Sequence, residues 1–209
     1  AGLVGQGQST LLKSLYGLTN KEGRIELEGK KVEINNPRDA IKKGIIYISG
    51  DRSIEGILPP RSVKENIALI KNARKWLVSP SDEDMELETA EEMEEKLDIE
   101  CESLEEKAMA LSGGNQQKLF LGRGLTIEPE VLLLNDPLKG VDVMTKTGIS
   151  EIISDLAEDN AVLFFSSDVE ELLPVASRII VMFEGKIVGE FSGEEMKKDK
   201  IMDVTLKGE

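Results

Sequence analysis

The stretch Leu111–Lys118, together with the apolar run that follows it, constrains the fold more than any other part of the chain. It reads Leu-Ser-Gly-Gly-Asn-Gln-Gln-Lys, so a serine and two glycines come directly before a polar helix. Glycines let the backbone approach a ligand closely, and a helix start offers unpaired N–H groups and the positive end of the helix dipole. Such a helix start suits a phosphate. The run Val131–Leu134 then predicts a buried strand that ends in Asn135, Asp136 and Pro137.

A second glycine-rich segment lies at the start of the sequence. Residues 2–10 read Gly-Leu-Val-Gly-Gln-Gly-Gln-Ser-Thr and lead into a predicted helix, Leu11–Tyr16, that Gly17 ends. The glycine spacing is typical of a phosphate-binding loop, although a plain strand-to-helix turn remains an alternative. The candidate nucleotide-binding residues are Gly5, Gln6, Gly7, Gln8, Ser9 and Thr10.

Composition excludes several classes of function. The net charge is −14, and a groove for nucleic acid would need the opposite sign, so direct binding to DNA or RNA is disfavoured. Cys101 is the only cysteine and cannot form an internal disulfide. No apolar run approaches the roughly 18 residues that a membrane span needs. The sequence begins at Ala1 without a methionine, and we expect that residues upstream have been removed.

Apolar periodicity predicts strands that alternate with helices, which is typical of an α/β fold. Alternating residues around Glu-Gly turns predict two β-hairpins, at Arg24–Ile34 and at Ile179–Glu190. Short apolar runs predict buried strands at Ile45–Ile48 and Ala161–Phe165. The predicted helices are Pro37–Lys43, a helix from the capping box at Ser62 to about Ile70, a Glu-rich helix with the apolar stripe Ala90, Met93 and Leu97, Val143–Glu158, and Val169–Leu173.

The stretch Leu111–Lys118 resembles the signature of the ATP-binding-cassette (ABC) ATPases, and its Asn-Gln-Gln-Lys ending is similar to the carbohydrate-importer branch (ribose, xylose, galactose). The resemblance extends from Gly2 to about Glu190. It implies an α/β fold, a P-loop NTPase of ABC type whose mixed sheet core has flanking helices and an inserted helical subdomain. It further implies one domain over 1–209, with 1–52 and 125–209 as the core and 53–124 as a helical lobe that carries the signature.

The same resemblance locates the side chains that hydrolyse ATP in this family. They are a phosphate-loop lysine, a strand-end aspartate for magnesium, a following glutamate, a glutamine (usually glutamate in this branch) and a histidine. This chain holds at those positions, in that order, Gln8, Asn135, Asp136, Gly50 and Ser167. Asp136 is one methylene shorter than glutamate, and Asn135 is a neutral and therefore poorer ligand for magnesium. In contrast, the signature residues Ser112, Gly113 and Gly114 and the loop Gly140-Val141-Asp142 are intact.

ABC domains pair head to tail, so that each nucleotide lies between one domain's phosphate loop and the other's signature. The resemblance therefore implies the second half of a tandem ATP-binding subunit of a sugar importer, which supplies its signature to the site of the other half. Its own site would bind ATP, with magnesium held weakly or not at all by Ser9 and Asn135. The implied partners are a second ATP-binding domain, membrane permease subunits and, indirectly, a periplasmic or extracellular sugar-binding protein, at the cytoplasmic face of the membrane.

Three alternatives remain open at this point. The chain could be a catalytically inert regulatory or scaffold module that binds nucleotide, or the ATPase of a nucleoside importer of the same branch. A soluble ABC ATPase that acts on translation or DNA repair is disfavoured by the acidic charge and by the Asn-Gln-Gln-Lys ending.

Overall fold

Seven strands and eight helices make up the regular structure of the described residues, which are 1–75 and 83–208 of a computed structural model. In chain order they are α1 (Gln8–Leu15), β1 (Ile25–Leu27), β2 (Lys30–Val32), α2 (Pro37–Lys42), β3 (Ile45–Ser49), α3 (Val63–Lys75), α4 (Glu83–Leu97), α5 (Gly113–Leu125), β4 (Val131–Asn135), α6 (Val143–Asp159), β5 (Ala161–Phe165), α7 (Val169–Leu172), β6 (Arg178–Phe183), β7 (Lys186–Ser192) and α8 (Lys198–Lys207).

The chain forms two compact units. The sheet unit comprises Ala1–Tyr47, Glu130–Pro137 and Ile153–Glu209. The helical unit comprises Ile48–Pro129 and Leu138–Ile152. The division into 1–52, 53–124 and 125–209 stays a prediction, and its middle segment includes residues 76–82, which lie outside the described residues.

A three-stranded sheet with the order β3-β4-β5 carries the candidate site residue Asn135 at the end of its middle strand, directly before Asp136. Strands β4 and β5 are parallel, with Val131 opposite Ala161 and Asn135 opposite Phe165, so both strands end at the same edge. Parallel neighbours need a crossover connection, and α6 supplies it. The α/β fold class predicted from the sequence is confirmed.

The two hairpins form as predicted, with β1 antiparallel to β2 and β6 antiparallel to β7. Each turn is a Glu-Gly pair with positive φ, which is +49° and +73° at Glu28 and Gly29. At Glu184 and Gly185 the angles are +47° and +77°. Two consecutive residues of positive φ match the twist of the flanking strands in a two-residue hairpin loop.

The expectation that β5 is buried is wrong for most of its length. Strand β4 is buried from Leu132 to Asn135, whereas in β5 only Phe165 is buried and Leu163 remains 40% exposed. The reason is that β5 pairs with β4 alone among the described strands. An apolar run therefore predicted the strand correctly but not its place at the edge of this sheet.

Helices α3, α4 and α5 pack on one another in the helical unit. The predicted stripe on α4 lies in this core, because Ala90, Met93 and Leu97 are at most 3% exposed. The capping box at the start of α3 is also present: the amide of Glu65 donates to Ser62 Oγ at 3.1 Å and the amide of Ser62 donates to Glu65 Oε2 at 2.8 Å. No helix among the described residues is long and apolar enough to cross a membrane.

Candidate functional site

The glycine-rich loop before α1 is held by the turn of the β6–β7 hairpin. Gln6 Oε1 accepts a hydrogen bond from the amide of Glu184 at 2.6 Å, and the Gln6 carbonyl accepts one from the amide of Gly185 at 2.9 Å. Gly7 has φ +106°, and a Cβ on it would lie 3.1 Å from the Cα of Gly185. Glycine is therefore required at this position, both for the backbone angle and for the close approach of the hairpin.

Gln8, at the lysine position of the loop, directs its amide group into the protein. Its Nε2 lies 3.3 Å from the carbonyl oxygen of Ala1 and 3.5 Å from that of Met182, and the residue is only 5% exposed. Its donor thus serves the protein's own carbonyl groups. No positive charge comes from this side chain.

The two residues expected to hold magnesium lie side by side. Ser9 Oγ donates to Asn135 Oδ1 at 2.8 Å, and Asn135 Nδ2 donates to the hydroxyl oxygen of Tyr47 at 2.8 Å. The Tyr47 ring in turn stacks on Tyr16, with 5.6 Å between ring centroids. Asn135 and Tyr47 are each 8% exposed, whereas Ser9 is half-buried, so this hydrogen-bonded chain runs from the interior toward the loop.

The donor set at this position differs from what Mg²⁺ prefers in proteins. A magnesium site generally includes one or two carboxylates. Here the strand-end oxygen belongs to a neutral amide and already accepts a hydrogen bond from the serine. In the described ranges, no group of three or more His, Cys, Asp or Glu side chains is placed to hold a metal ion.

Asp136 follows directly and takes an unusual backbone conformation. Its φ is +55°, a left-handed value that aspartate tolerates better than most residues, and its amide donates to the carbonyl of Phe165 at 2.7 Å. This bond holds the ends of β4 and β5 together. Ser167, at the histidine position, is exposed and lies two residues beyond the end of β5. Asp136 and Ser167 therefore follow neighbouring strands at the same edge of the sheet. Gly50 follows β3 and belongs to the helical unit.

The signature residues form the N-terminus of α5. Ser112 is the exposed N-cap, and its Oγ accepts a hydrogen bond from the amide of Asn115 at 3.2 Å. Asn115 Oδ1 accepts from the amide of Glu100 at 3.2 Å, and Gln116 Nε2 donates to the carbonyls of Ala108 and Leu111. The polar residues that follow the glycines therefore anchor the helix start to the preceding loop.

The two signature glycines lie close against neighbouring side chains. A Cβ on Gly113 would lie 2.7 Å from Arg52 Nη2, and one on Gly114 would lie 2.5 Å from Thr145 Cγ2. Thr145 donates its hydroxyl and its amide to Asp142, at 2.6 and 3.0 Å, and these bonds hold the pKa of Asp142 below its usual value. Within the helical unit, the loop that contains Gly140 and Asp142 thus lies beside the signature.

A buried polar cluster that was not predicted from the sequence joins α5 to α3. Arg123 Nε donates to the carbonyl of Asn66 at 2.8 Å, Nη2 donates to Asn66 Oδ1 at 2.6 Å, and Nη1 donates to the carbonyl of Gly56. Burial lowers the pKa of Arg123 to about 10. A signal for this cluster was present in the sequence, because Arg123 lies within the apolar run Leu119–Leu125 of a helix. An arginine buried in such a run needs hydrogen-bond partners.

Comparison with known proteins bears on the family and the fold of the chain. Residues 1–139 match the protein-family model described as ABC transporter. The chain is similar in structure to an ATP-binding cassette of an ABC transporter in its ADP conformation, with a TM-score of 0.81 and 25% identity, over 99% of this chain and 85% of that one.

Two curated relatives are similar over almost the whole of this chain. The ribose import ATP-binding protein RbsA of Caldanaerobacter subterraneus subsp. tengcongensis is 39% identical over 100% of this chain. The arabinose import ATP-binding protein AraG of Pectobacterium atrosepticum is 41% identical over 98% of it. The chain spans only 43% and 41% of the length of these two proteins.

Proposed function

The chain belongs to the ABC transporter family, and from that membership we propose that it is one half of the ATP-binding subunit of a sugar importer. It would supply Ser112, Gly113 and Gly114 to the ATP site of a partner domain, while its own site would be degenerate and catalytically inactive. The relatives named for ribose and arabinose import support a sugar as the transported substrate. Their greater length is consistent with a second ATP-binding domain in the same polypeptide.

The observation that carries this proposal is the contrast between the two sets of residues. The signature serine caps α5 and is exposed, and a Cβ on Gly114 would overlap the side chain of Thr145. At the phosphate loop, Ser9, Asn135 and Tyr47 are instead linked in a neutral hydrogen-bonded chain, and Gln8 is turned to the protein's own carbonyls. Phosphoryl transfer depends on positive charge that neutralises the transferred group, and these side chains bring none.

Nucleotide binding at the chain's own site would therefore depend on the backbone of residues 5–10. The first amides of α1 lack acceptors within the helix and can meet a phosphate. Without the lysine and the strand-end aspartate, we expect weak binding that gains little from magnesium, and Asp136 would hold the shortened carboxylate at the base position. When bound at a complete site of the pair, Mg-ATP supplies the phosphoryl group whose transfer drives transport.

The partners follow from the same proposal. They are a second ATP-binding domain, fused or separate, and membrane permease subunits, with a sugar-binding protein acting through those permeases. The chain would then lie at the cytoplasmic face of the membrane without entering it.

The test compares two substitutions in the full-length protein, reconstituted with its permease and sugar-binding protein. Ser112→Arg places a bulky cation at the signature and should abolish sugar-stimulated ATP hydrolysis. Gln8→Ala should change turnover by less than roughly tenfold, about 1.4 kcal/mol of barrier, because no charged group is lost. Ser103→Arg, at another exposed serine of the helical unit, controls for the added bulk and charge.

Two results would refute the division of labour. If Gln8→Ala is as damaging as Ser112→Arg, the chain's own phosphate loop is active. If neither substitution changes hydrolysis, the chain is a regulatory or scaffold module. Ser103→Arg should stay within about twofold of the wild type, since Ser103 is exposed and surface substitutions usually have small effects.

A further inference from the structure

Arg52, which follows β3, joins two peptide groups of the loop that comes after Pro137. Its Nη1 donates to the carbonyl of Lys139 at 3.0 Å, and its Nη2 donates to the carbonyl of Gly140 at 3.2 Å. Arg52, Lys139 and Gly140 all belong to the helical unit. The rigid guanidinium fork thus holds two successive carbonyl groups in one orientation.

The same guanidinium lies against the start of α5. A Cβ on Gly113 would lie 2.7 Å from Arg52 Nη2 and 3.8 Å from the Gly140 carbonyl oxygen. Arg52 therefore fills the space between the signature and the Gly140 loop. Its Nε is buried and has no hydrogen-bond partner among the described residues.

From these contacts we propose that Arg52 is a positioning residue for the ATP site to which the signature contributes. Arg52 holds the carbonyl groups of Lys139 and Gly140 in one orientation. Because each peptide unit is planar, the N–H groups that follow these two carbonyls are then fixed in direction as well. Gly140 itself has φ +70°, a conformation that glycine also leaves easily when nothing holds it. Arg52 would therefore set the geometry that Gly113 and the Gly140 loop present to the partner's nucleotide. This inference rests on the proposed function.

A purely structural role would predict something different. Within the described residues Arg52 forms no ion pair, and its charge lies near the positive end of the α5 dipole, where a cation is unfavourable. Its removal should hence cost the fold little. A positioning role predicts that Arg52→Met keeps the protein folded and lowers kcat.

The experiment uses the full-length protein in the reconstituted transporter complex, with Arg52→Met, Arg52→Lys and the control Arg61→Met. Arg61 is an arginine of the same unit whose ion pair with Glu65 is solvent-exposed. For Arg52→Met we expect kcat of sugar-stimulated hydrolysis to fall at least tenfold, with KM for Mg-ATP within threefold. Arg52→Lys should recover less than half of the lost activity, because an ammonium cannot hold both carbonyls in the fork geometry. Arg61→Met should stay within twofold.

Hydrogen exchange of α5 in the same proteins shows whether the fold is retained. A kcat for Arg52→Met within twofold of the wild type overturns the proposal. So does a loss of α5 protection that matches the loss of activity, because the residue would then be structural. Ser112→Arg is measured in parallel. If this variant hydrolyses ATP normally, the proposed function fails. If Ser112→Arg is inactive while Arg52→Met is normal, only the inference about Arg52 fails.

A second variant tests the contact itself. Gly113→Ala places a methyl group where Arg52 Nη2 now lies, and it should displace the guanidinium. If Gly113→Ala acts through Arg52, its effect on kcat should shrink at least threefold in the Arg52→Met background. Full additivity of the two substitutions would contradict the proposed contact.

Discussion

Replacing Arg123 by methionine should destabilise the helical unit by an amount that the structure allows us to estimate. Methionine keeps much of the side chain's length and apolar stem but removes all the donors. Three acceptors lose a charge-assisted hydrogen bond: the carbonyls of Gly56 and Asn66, and Asn66 Oδ1. Two of them keep another donor, because the amide of Leu58 donates to Asn66 Oδ1 and the Asn66 carbonyl lies within α3.

The magnitude follows from counting what is left unpaired. The Gly56 carbonyl loses its guanidinium donor in a buried position, at a cost of about 1–3 kcal/mol. The loss of the two bonds to Asn66 costs about 1 kcal/mol each. Part of this cost is offset, because the variant no longer buries a guanidinium that has no carboxylate partner. We therefore expect a loss of about 2–4 kcal/mol, which is about a 30- to 700-fold change in an opening equilibrium.

Native-state hydrogen exchange measured by mass spectrometry is the suitable assay, because it reports each unit separately. Protection of α5 amides should fall by that factor in Arg123→Met, while protection of β4, in the sheet unit, should change less than threefold. Arg61→Met is the matched control, and its exposed ion pair should contribute less than about 1 kcal/mol. Protection of α5 within threefold of the wild type would refute the reasoning, as would an equal loss in the control.

Two further predictions concern titrating groups. Burial, reinforced by the hydrogen bond from the Cys101 thiol to Glu94 Oε1, raises the pKa of the thiol to about 11. Alkylation of Cys101 by iodoacetamide at pH 8 should therefore be roughly a hundredfold slower than that of a free cysteine, and Glu94→Gln should accelerate it. An ordinary alkylation rate would contradict this prediction. The amide of Ser62 lowers the pKa of Glu65 below its ordinary 4.5, so the carboxylate stabilises α3 above that pH and the benefit disappears as pH falls through the lower folded value. The difference in α3 protection between wild type and Glu65→Gln should therefore be present at pH 7 and vanish in acid, and a difference that persists unchanged at pH 3 would count against it.

Local rules were sufficient for much of the fold. The hairpins followed from alternation and from Glu-Gly turns, and the start of α3 followed from Ser62 and Glu65, because all of these signals lie within a few residues of one another. The π-helical turn Arg52–Gly56 was not predicted. The carbonyl of its last residue, Gly56, accepts a hydrogen bond from Arg123, 67 residues away, and no local pattern contains that contact. Helix α8 was also missed.

The candidate site shows the same limit. The resemblance located each altered position, and the residue types predicted that Gln8 and Asn135 bring no charge. It could not show that Ser9 reaches Asn135, 126 residues further along, since this contact requires α1 to pack beside β4. Nor could it show that Gln8 turns inward, because one of the two carbonyls it faces, that of Met182, lies 174 residues away along the chain.

The neutral chain of Ser9, Asn135 and Tyr47 has a consequence for how the sheet unit responds to the state of the cell. A site built from a lysine and an aspartate holds charges that a bound ion or nucleotide neutralises, so its stability rises and falls with occupancy. Here the amide of Asn135 accepts from one hydroxyl and donates to another without any ion. The sheet unit should therefore depend less on ATP and magnesium for its stability than a unit whose site holds charged residues, and it should lose little of its integrity when the energy supply falls.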